Sequence, residues 1–225
     1  MYVPAHFGLK LAEAKAHIRL CDVANLVTVN AGVITANLVP VLFDDDVEGV
    51  GDQVDRSSQT GGGNGVLFGH LAKANPQWTN VDSAVEAIAI LAGPDAYVSP
   101  SAYESKQQHG RVVPTWNYTT VHVYGSLTWV HDPARKLEIV TALTNRHEGR
   151  RSDPWQVTDA PVIFIDGLQE AIVGFELAIT RVEGKAKLSQ NRSPADRAGV
   201  AADLAGATTD NSRDLAEAMR QHRSE

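Results

Sequence analysis

Alternating apolar and polar residues predict a chain built mainly of β-strands. The pattern favours strands over residues 25–30, 32–43, 66–70, 84–91, 95–99, 112–130 and 173–182, which are rich in Val, Ile, Thr and aromatic residues. The first two strands meet at Asn30-Ala31-Gly32, which is typical of a hairpin turn. Pro40 lies inside the second strand and cannot donate a ladder hydrogen bond, so it indicates an edge position or a bulge.

Apolar residues three or four positions apart predict helices beside these strands. The pattern favours helices over 9–20 and 132–147, and Asp132 and Pro133 fit the N-cap and first turn of the second. A short helical segment precedes residue 173, and two amphipathic stretches follow Pro194, the last with a cap signal at 210–212. Because helices and strands do not alternate regularly, we expect a mainly β (α+β) barrel with peripheral helices.

Composition narrows the class of protein. The chain has 225 residues, 43% of them hydrophobic, which suits one large domain or one domain with a helical appendage. Cys21 is the only cysteine, so an intramolecular disulfide and a Cys-rich zinc site are excluded, and we expect it to be a buried small hydrophobe. No signal peptide and no run long enough for a membrane span is evident, so a cytoplasmic protein is expected.

Charge and motifs exclude several functions. The net charge of −7 argues against a surface that wraps nucleic acid, although a local basic patch could still contact DNA. The sequence has no G-x-S-x-G, H-E-x-x-H or P-loop pattern and no definable helix-turn-helix, and its eight histidines lack ligand spacing. We therefore assign no catalytic residue and no metal site.

One face of the predicted strand 112–130 carries large polar-aromatic side chains. Residues two apart in a strand share a face, and here that face holds Trp116, Tyr118, Thr120, His122 and Tyr124. Such a face suits the wall of a ligand site. It equally suits an oligomer interface, where Trp and Tyr are also enriched. The two interpretations are compatible if a ligand lies at that interface.

Three further segments could contact a ligand. GHLAKANPQW (69–78) offers His70, Lys73 and Asn75 to an anion, although a solvated helix start explains it equally well. AYVSPSAYESK (96–106) combines serines, a lysine and two tyrosines, as ordinary surface loops also do. GKAKLSQNR (184–192) concentrates cations and amides, for which the alternative is a solvated tail.

Five blocks together carry a family resemblance. MYVPAHF, GHLAKANPQW, GPDAYVSPSAYESK, VVPTWNYTTVHVYG and IVGFELAITRVEGKAKLSQNR resemble the PaiB-like family of FMN-binding negative transcriptional regulators, in order, from Met1 to about Val200. The resemblance implies an FMN-binding split β-barrel over 1–192, related to pyridoxine-phosphate oxidases and flavin reductases, with a helical C-terminal extension over 193–225. It also implies a homodimer with FMN in a cleft between the subunits.

The resemblance assigns roles by analogy. It implies that His70, Lys73 and Asn75 hold the phosphate, and that the ring lies against Thr35, Asn37 and Leu38. The partner subunit would supply Trp116, Asn117, Lys187, Gln190 and Arg192, with His122 close to the flavin.

Two departures from the family pattern stand out. Ala102 replaces a tryptophan usual in the family, which would open the cleft or change what stacks there. The loop over 52–64 also looks longer than expected, which would alter its rim.

Three hypotheses follow. The first is a dimeric FMN-binding regulator, for which the acidic charge favours indirect repression or a protein partner over direct DNA contact. The second is a flavin-dependent oxidoreductase of the split-barrel type, because a bound flavin makes electron transfer available. The third is a ligand-binding or structural dimer that has lost the cofactor.

Overall fold

The computed structural model describes residues 1–45 and 63–222, so most of the predicted 52–64 loop lies outside the described residues. Six strands form a closed barrel in the order β1-β2-β3-β6-β5-β4, which confirms the predicted barrel. Their bounds are β1 Val23–Asn30, β2 Val33–Asp44, β3 Val66–Ala72, β4 Ala87–Val98, β5 Thr115–Val130 and β6 Ile172–Lys187. Antiparallel pairing joins β1 to β2 and β4, and β3 to β2 and β6.

The helices are α1 Leu11–Leu20, α2 Ser105–His109, α3 Pro133–Glu148, α4 Val162–Gln169, α5 Pro194–Ala205 and α6 Asp210–Gln221. Asp132 caps α3 as predicted, since its carboxylate accepts the N–H of Arg135 at 2.8 Å. The predicted cap at 210–212 is one residue out of place. Thr209 is the N-cap of α6, because its hydroxyl accepts the N–H of Ser212.

The hairpin between β1 and β2 is confirmed. Ala31 and Gly32 both have positive φ (49° and 80°), which is the conformation that type I′ hairpin turns require. The resulting register pairs Val27 with Ala36 and Asn25 with Leu38. Ala24 and Leu26 then face the core, while Asn25, between them, faces outward.

The sequence pattern wrongly separated two strands at Gly93-Pro94. Residues 87–98 form one continuous strand, β4, because the fixed φ of proline is compatible with extended backbone. Gly93 has a packing role, since a Cβ there would lie 2.5 Å from Cε1 of His17. The predicted last strand, 173–182, is likewise longer than expected, and β6 continues to Lys187.

The chain divides into two compact units, which are described separately. Unit 1 comprises 1–17, 92–121 and 183–225, and unit 2 comprises 18–91 and 122–182. The sequence-based boundary at residue 192 stays a prediction. None of the helices in residues 1–45 and 63–222 is both long enough and apolar enough to cross a membrane.

The core of unit 1 is formed by α5 and α6 against strand residues. Its fully buried members include Tyr103, Leu188, Val200 and Leu215. Ala102, where a tryptophan was expected, is partly buried against this core at the end of a 3-10 turn.

In unit 2, helix α3 covers the outside of β3. Ile139 and Leu143 of α3 form a cluster with Val130, and Leu42 and Phe68 pack against it. Gly174 of β6 is part of this packing, because a Cβ there would lie 3.0 and 3.1 Å from Val130 and Ile139. This helix therefore shields one part of the outer barrel surface from water.

Candidate functional site

The two faces of β5 differ as the alternation predicted. Asn117, Val121 and Val123 are fully buried, whereas the alternate residue Trp116 is half exposed. Tyr118, His122 and Tyr124 are intermediate. The polar-aromatic face is therefore the outer face of the strand, available for contacts beyond the core.

Three cations in unit 1 form what we call the cationic cluster: Lys185, Lys187 and Arg192. Lys187 donates hydrogen bonds to Thr115 Oγ1 and to the main-chain oxygen of Trp116. Lys185 is buried, donates to the main-chain oxygen of Tyr2 at 3.2 Å, and places Nζ 5.1 Å from the ring centroid of Tyr118. The guanidinium carbon of Arg192 lies 4.9 Å from the ring centroid of Tyr103.

The positive charges of the cluster repel one another. The pKa of Lys187 is lowered by burial first, and then by the positive charges of Lys185 and Arg192. Within residues 1–45 and 63–222, neither lysine forms an ion pair with a carboxylate. An anion at this place would relieve the mutual repulsion, so the cluster suits a phosphate group.

An oriented aromatic pair lies in the same unit. The rings of Trp116 and Tyr97 meet edge to face with centroids 6.2 Å apart, and both are about half exposed. Trp116 Nε1 donates to Asp95 Oδ1 at 2.8 Å, and the Asn211 amide donates to Asp95 Oδ2 at 3.0 Å. These bonds fix the indole, which could then support a flat ring without reorienting.

Two predicted cofactor residues in unit 1 make internal bonds. The Asn117 amide donates to Ser189 Oγ at 2.9 Å, while its buried Oδ1 has no hydrogen-bond partner among the residues that the structure describes. Gln190 accepts the N–H of Leu188 at 2.7 Å and donates to the main-chain oxygen of Ala186. The amide-rich sequence at 189–191 therefore serves a tight turn, in which Ser189 has a φ of 61°.

Unit 2 brings three other predicted residues together around Gln77, which is 1% exposed. Its Oε1 accepts from the Asn37 amide at 2.9 Å, and its Nε2 donates to Leu26 O at 2.8 Å and Thr35 O at 3.4 Å. Asn75 Oδ1 accepts the N–H of Gln77 at 2.9 Å. Sequence analysis missed Gln77, although Asn75-Pro76 signalled the turn on which it sits.

His70 and Lys73 occupy different environments. His70 lies on β3, and its buried Nδ1 has no hydrogen-bond partner within the described part of the chain. Burial lowers the pKa of this side chain, which favours the neutral imidazole. Lys73 is half exposed, with Nζ 3.9 Å from Glu170 Oε2. Its own N–H donates to the main-chain oxygen of Ala171 at 2.8 Å. Neither offers an anion as concentrated a positive charge as the cationic cluster.

The remaining predicted residues of unit 2 lie on its surface. Leu38 is 64% exposed on the outer face of β2. The His122 ring lies 6.5 Å from that of Tyr124, which also carries Arg181 at 3.5 Å from its centroid.

A family model described as "Putative FMN-binding domain" matches residues 1–181. The chain belongs to this family. Protease synthase and sporulation protein PAI 2 of Bacillus subtilis, a PaiB protein, is 30% identical over 153 residues, 68% of this chain and 71% of that protein. An uncharacterised protein of Emericella nidulans is 34% identical over 185 residues, 70% of this chain and 73% of that one. The resemblance to the PaiB-like family is thereby confirmed.

Solved structures agree with the fold of this FMN-binding-domain family member. A conserved hypothetical protein of Mycobacterium tuberculosis gives a TM-score of 0.56 at 11% identity, over 86% of this chain and 94% of that one. The flavocytochrome Anf3 of Azotobacter vinelandii gives 0.52 at 13% identity, over 88% of this chain and 78% of that one. At sequence identities this low, the structural similarity establishes only the fold. The predicted split barrel is confirmed.

Proposed function

We propose that this protein binds FMN, with the flavin phosphate on the cationic cluster and the ring against the outer face of Trp116. The observation that supports this assignment is the convergence of Lys185, Lys187 and Arg192, in which neither lysine forms an ion pair with a carboxylate of the described residues. Membership of the FMN-binding-domain family supports the choice of anion. When bound, FMN would supply electron-transfer chemistry, while the chain binds and orients it.

The contacts of Lys187, Lys185 and Trp116 indicate a different role for each in binding FMN. Lys187 bonds two protein oxygens and has a third N–H for the phosphate. Lys185 is held beneath Tyr118 and adds charge at fixed position. Trp116, oriented by Asp95, offers its exposed ring to a flat ligand.

Fluorescence titration with FMN and riboflavin tests this assignment, because riboflavin lacks the phosphate. Lys187→Gln should weaken FMN about tenfold or more, as expected for loss of one charge-assisted hydrogen bond, and leave riboflavin unchanged. Arg213→Gln, at an exposed arginine of unit 1 that pairs with Asp210, is the control for loss of a surface charge. Equal losses for both ligands would remove Lys187 from the phosphate site.

The same titration distinguishes the phosphate position proposed here from the one that the family resemblance implies. If His70, Lys73 and Asn75 hold the phosphate instead, Lys73→Ala should weaken FMN more than Lys187→Gln does. The cationic cluster predicts the reverse order, since Lys73 already has Glu170 beside it.

We further propose a homodimer that forms through the outer face of β2, β1 and β4. Ile34 and Leu38 are 74% and 64% exposed there. The strand pairing places half-buried Val27 and Ile88 on the same outer face, and Ile90 lies beyond Asn25, which pairs with Leu38, so the surface is largely apolar. Contiguous apolar surface of this kind is typical of protein–protein contacts, and a second copy would cover it.

Light scattering coupled to size exclusion tests the dimer. Leu38→Glu should shift the protein to monomer by placing a charge in the apolar surface. Val113→Glu, at a residue of unit 1 with similar exposure, should leave the dimer intact. If FMN lies between the subunits, Leu38→Glu should also weaken FMN binding.

The regulatory role is proposed from the relationship to PAI 2, a protein named for protease synthesis and sporulation. The net charge of −7 favours action through a partner over direct contact with DNA. Transcript profiles of a deletion strain complemented with wild type or Lys187→Gln test it. If only wild type restores repression, regulation depends on FMN binding. A separate assay tests the oxidoreductase alternative, which turnover of NADH or NADPH by the FMN-loaded protein would support.

A further inference from the structure

Unit 2 contains a cavity of about 180 Å³ that none of the proposed flavin residues lines. Its walls come from the end of α1, the end of β2 and the last turn of α3. The lining residues are Arg19, Cys21, Leu42, Phe43 and Arg146.

Two guanidinium groups give the cavity its polar character. Arg146 Nε donates to Asp22 Oδ1 at 3.1 Å, and its Nη2 donates to the main-chain oxygen of Arg19. Arg19 pairs with Asp45 and lies 5.6 Å from the ring centroid of Phe43. Each guanidinium has five N–H groups, so these bonds leave donors for a further acceptor.

Arginines outnumber their carboxylate partners among the ion pairs that the described residues form here. Arg150 also bonds Asp22, at 3.4 Å. Three arginines therefore face two aspartates. Burial favours the neutral form of Asp22, but hydrogen bonds from Arg146 and Arg150 outweigh it and keep the pKa of that carboxyl below its usual value. Within the described residues, Arg19, Arg146 and Arg150 thus share two carboxylates as ion-pair partners, Asp22 and Asp45.

The other walls are apolar or uncharged. Leu42 and Phe43 offer hydrocarbon surface. Burial, and then the charge of Asp22, raises the pKa of the Cys21 thiol to about 11, so this side chain is a neutral thiol. A ligand that pairs with the arginines and packs against the apolar residues has an anionic end and a small apolar body.

We propose that this cavity binds a small organic carboxylate, which replaces Asp45 as the partner of Arg19 and packs its apolar part on Leu42 and Phe43. Planar bidentate pairing makes arginine well suited to carboxylates. The cavity volume of about 180 Å³ limits the size of the ligand. Pockets for drug-sized ligands begin at roughly 300 Å³, so the occupant is smaller than those.

Calorimetry with benzoate on the full chain saturated with FMN tests this site. Benzoate should bind saturably and its neutral analogue benzamide about tenfold more weakly or worse, because only benzoate can pair with arginine. Arg19→Gln should weaken benzoate by a similar factor. Asp45→Asn should strengthen it, since that variant removes the competing carboxylate from Arg19.

Arg151→Gln is the matched control, because Arg151 is 70% exposed, pairs with Glu148 and does not line the cavity. Equal affinity for benzoate and benzamide, or benzoate binding that Arg19→Gln leaves unchanged, would overturn the proposal. Inorganic phosphate binding as tightly as benzoate would overturn the carboxylate assignment. The opposite signs expected for Arg19→Gln and Asp45→Asn distinguish an occupied site from general loss of folding.

Discussion

The side-chain amide of Asn37 donates a 2.9 Å hydrogen bond to Oε1 of Gln77, a fully buried residue that lies 40 positions later in the chain. The bond attaches the turn at 75–79 to the β1–β2 hairpin. Asn30 reinforces the attachment by donating to the main-chain oxygens of Gln77 and Thr79 at 2.6 and 2.7 Å. Asn37, which the family resemblance assigns to the flavin ring, thus holds this turn against the barrel.

Replacing Gln77 by Met should destabilise the protein by about 2 kcal/mol or more. The substitution keeps side-chain length but leaves the Asn37 amide and Leu26 O without their partner in a buried place, and each such group costs about 1–3 kcal/mol. Urea unfolding measures the difference. Gln107→Met on the exposed surface of α2 should change the free energy of unfolding little, and an equal loss there would contradict the argument.

Asp196 should make stability pH-dependent. Its pKa is lowered, chiefly because the N–H of Ser105 donates to Oδ1 at 2.9 Å, with a second bond from Ser105 Oγ to Oδ2. A lowered folded-state pKa contributes stability above the ordinary value of about 3.9, and that stability is lost as pH falls through the folded value.

Denaturation of wild type and Asp196→Asn across the acidic range measures this contribution. The variant should be less stable near neutral pH, and the difference should shrink as acid protonates Asp196 in the wild type. A difference that stays constant with pH would show that ionisation of this carboxyl does not contribute.

Cys21 should react slowly with alkylating reagents in the folded protein. A thiol pKa of about 11, against a reference value of 9.0, lowers the thiolate fraction near pH 8 by about a hundredfold. Mass spectrometry after timed iodoacetamide treatment follows this cysteine without background, since the chain has no other. Unfolding in urea should restore an ordinary rate, whereas equal rates with and without urea would contradict the raised pKa.

Local signals predicted the elements whose chemistry is local. Asp132 followed by Pro133 predicted the start of α3, because an N-cap and a first-turn proline depend only on residues next to them in the sequence. Gly93-Pro94 gave a wrong prediction because the local sequence does not show the strand pairing around it. It resembles a strand break locally, while the barrel keeps β4 extended through it.

The candidate site was only partly predictable because its contacts are long-range. The sequence identified Lys187 and Arg192 as a cation-rich segment. It could not show that Lys185 is buried beneath Tyr118, which lies on another strand. The sequence did not identify Gln77, since a polar residue in a turn is expected to face water. Its side chain is buried because it bonds the Asn37 amide and the main-chain oxygen of Leu26, which are distant in the sequence.

Gly199 should be far less tolerant of substitution than its position in a helix suggests. An alanine is normally worth about 0.5–1 kcal/mol over glycine inside a helix. A Cβ at Gly199 of α5, however, would lie 2.2 Å from the main-chain oxygen of Ala102, too close without moving the 3-10 turn at Pro100–Ala102. The clash should reverse the sign, so Gly199→Ala should destabilise by about 1–3 kcal/mol, as overpacking does elsewhere.

Gly206→Ala separates this clash from general effects of the substitution. Gly206 ends the same helix, has a negative φ of −82°, and a Cβ there would meet only ordinary contacts at 3.6 and 3.7 Å. Its effect on the urea midpoint should be small. If both variants proved neutral or stabilising, Ala102 and α5 could not be packed as closely as the structure has them. The close contact between Gly199 and the main-chain oxygen of Ala102 would then not exist in the folded protein.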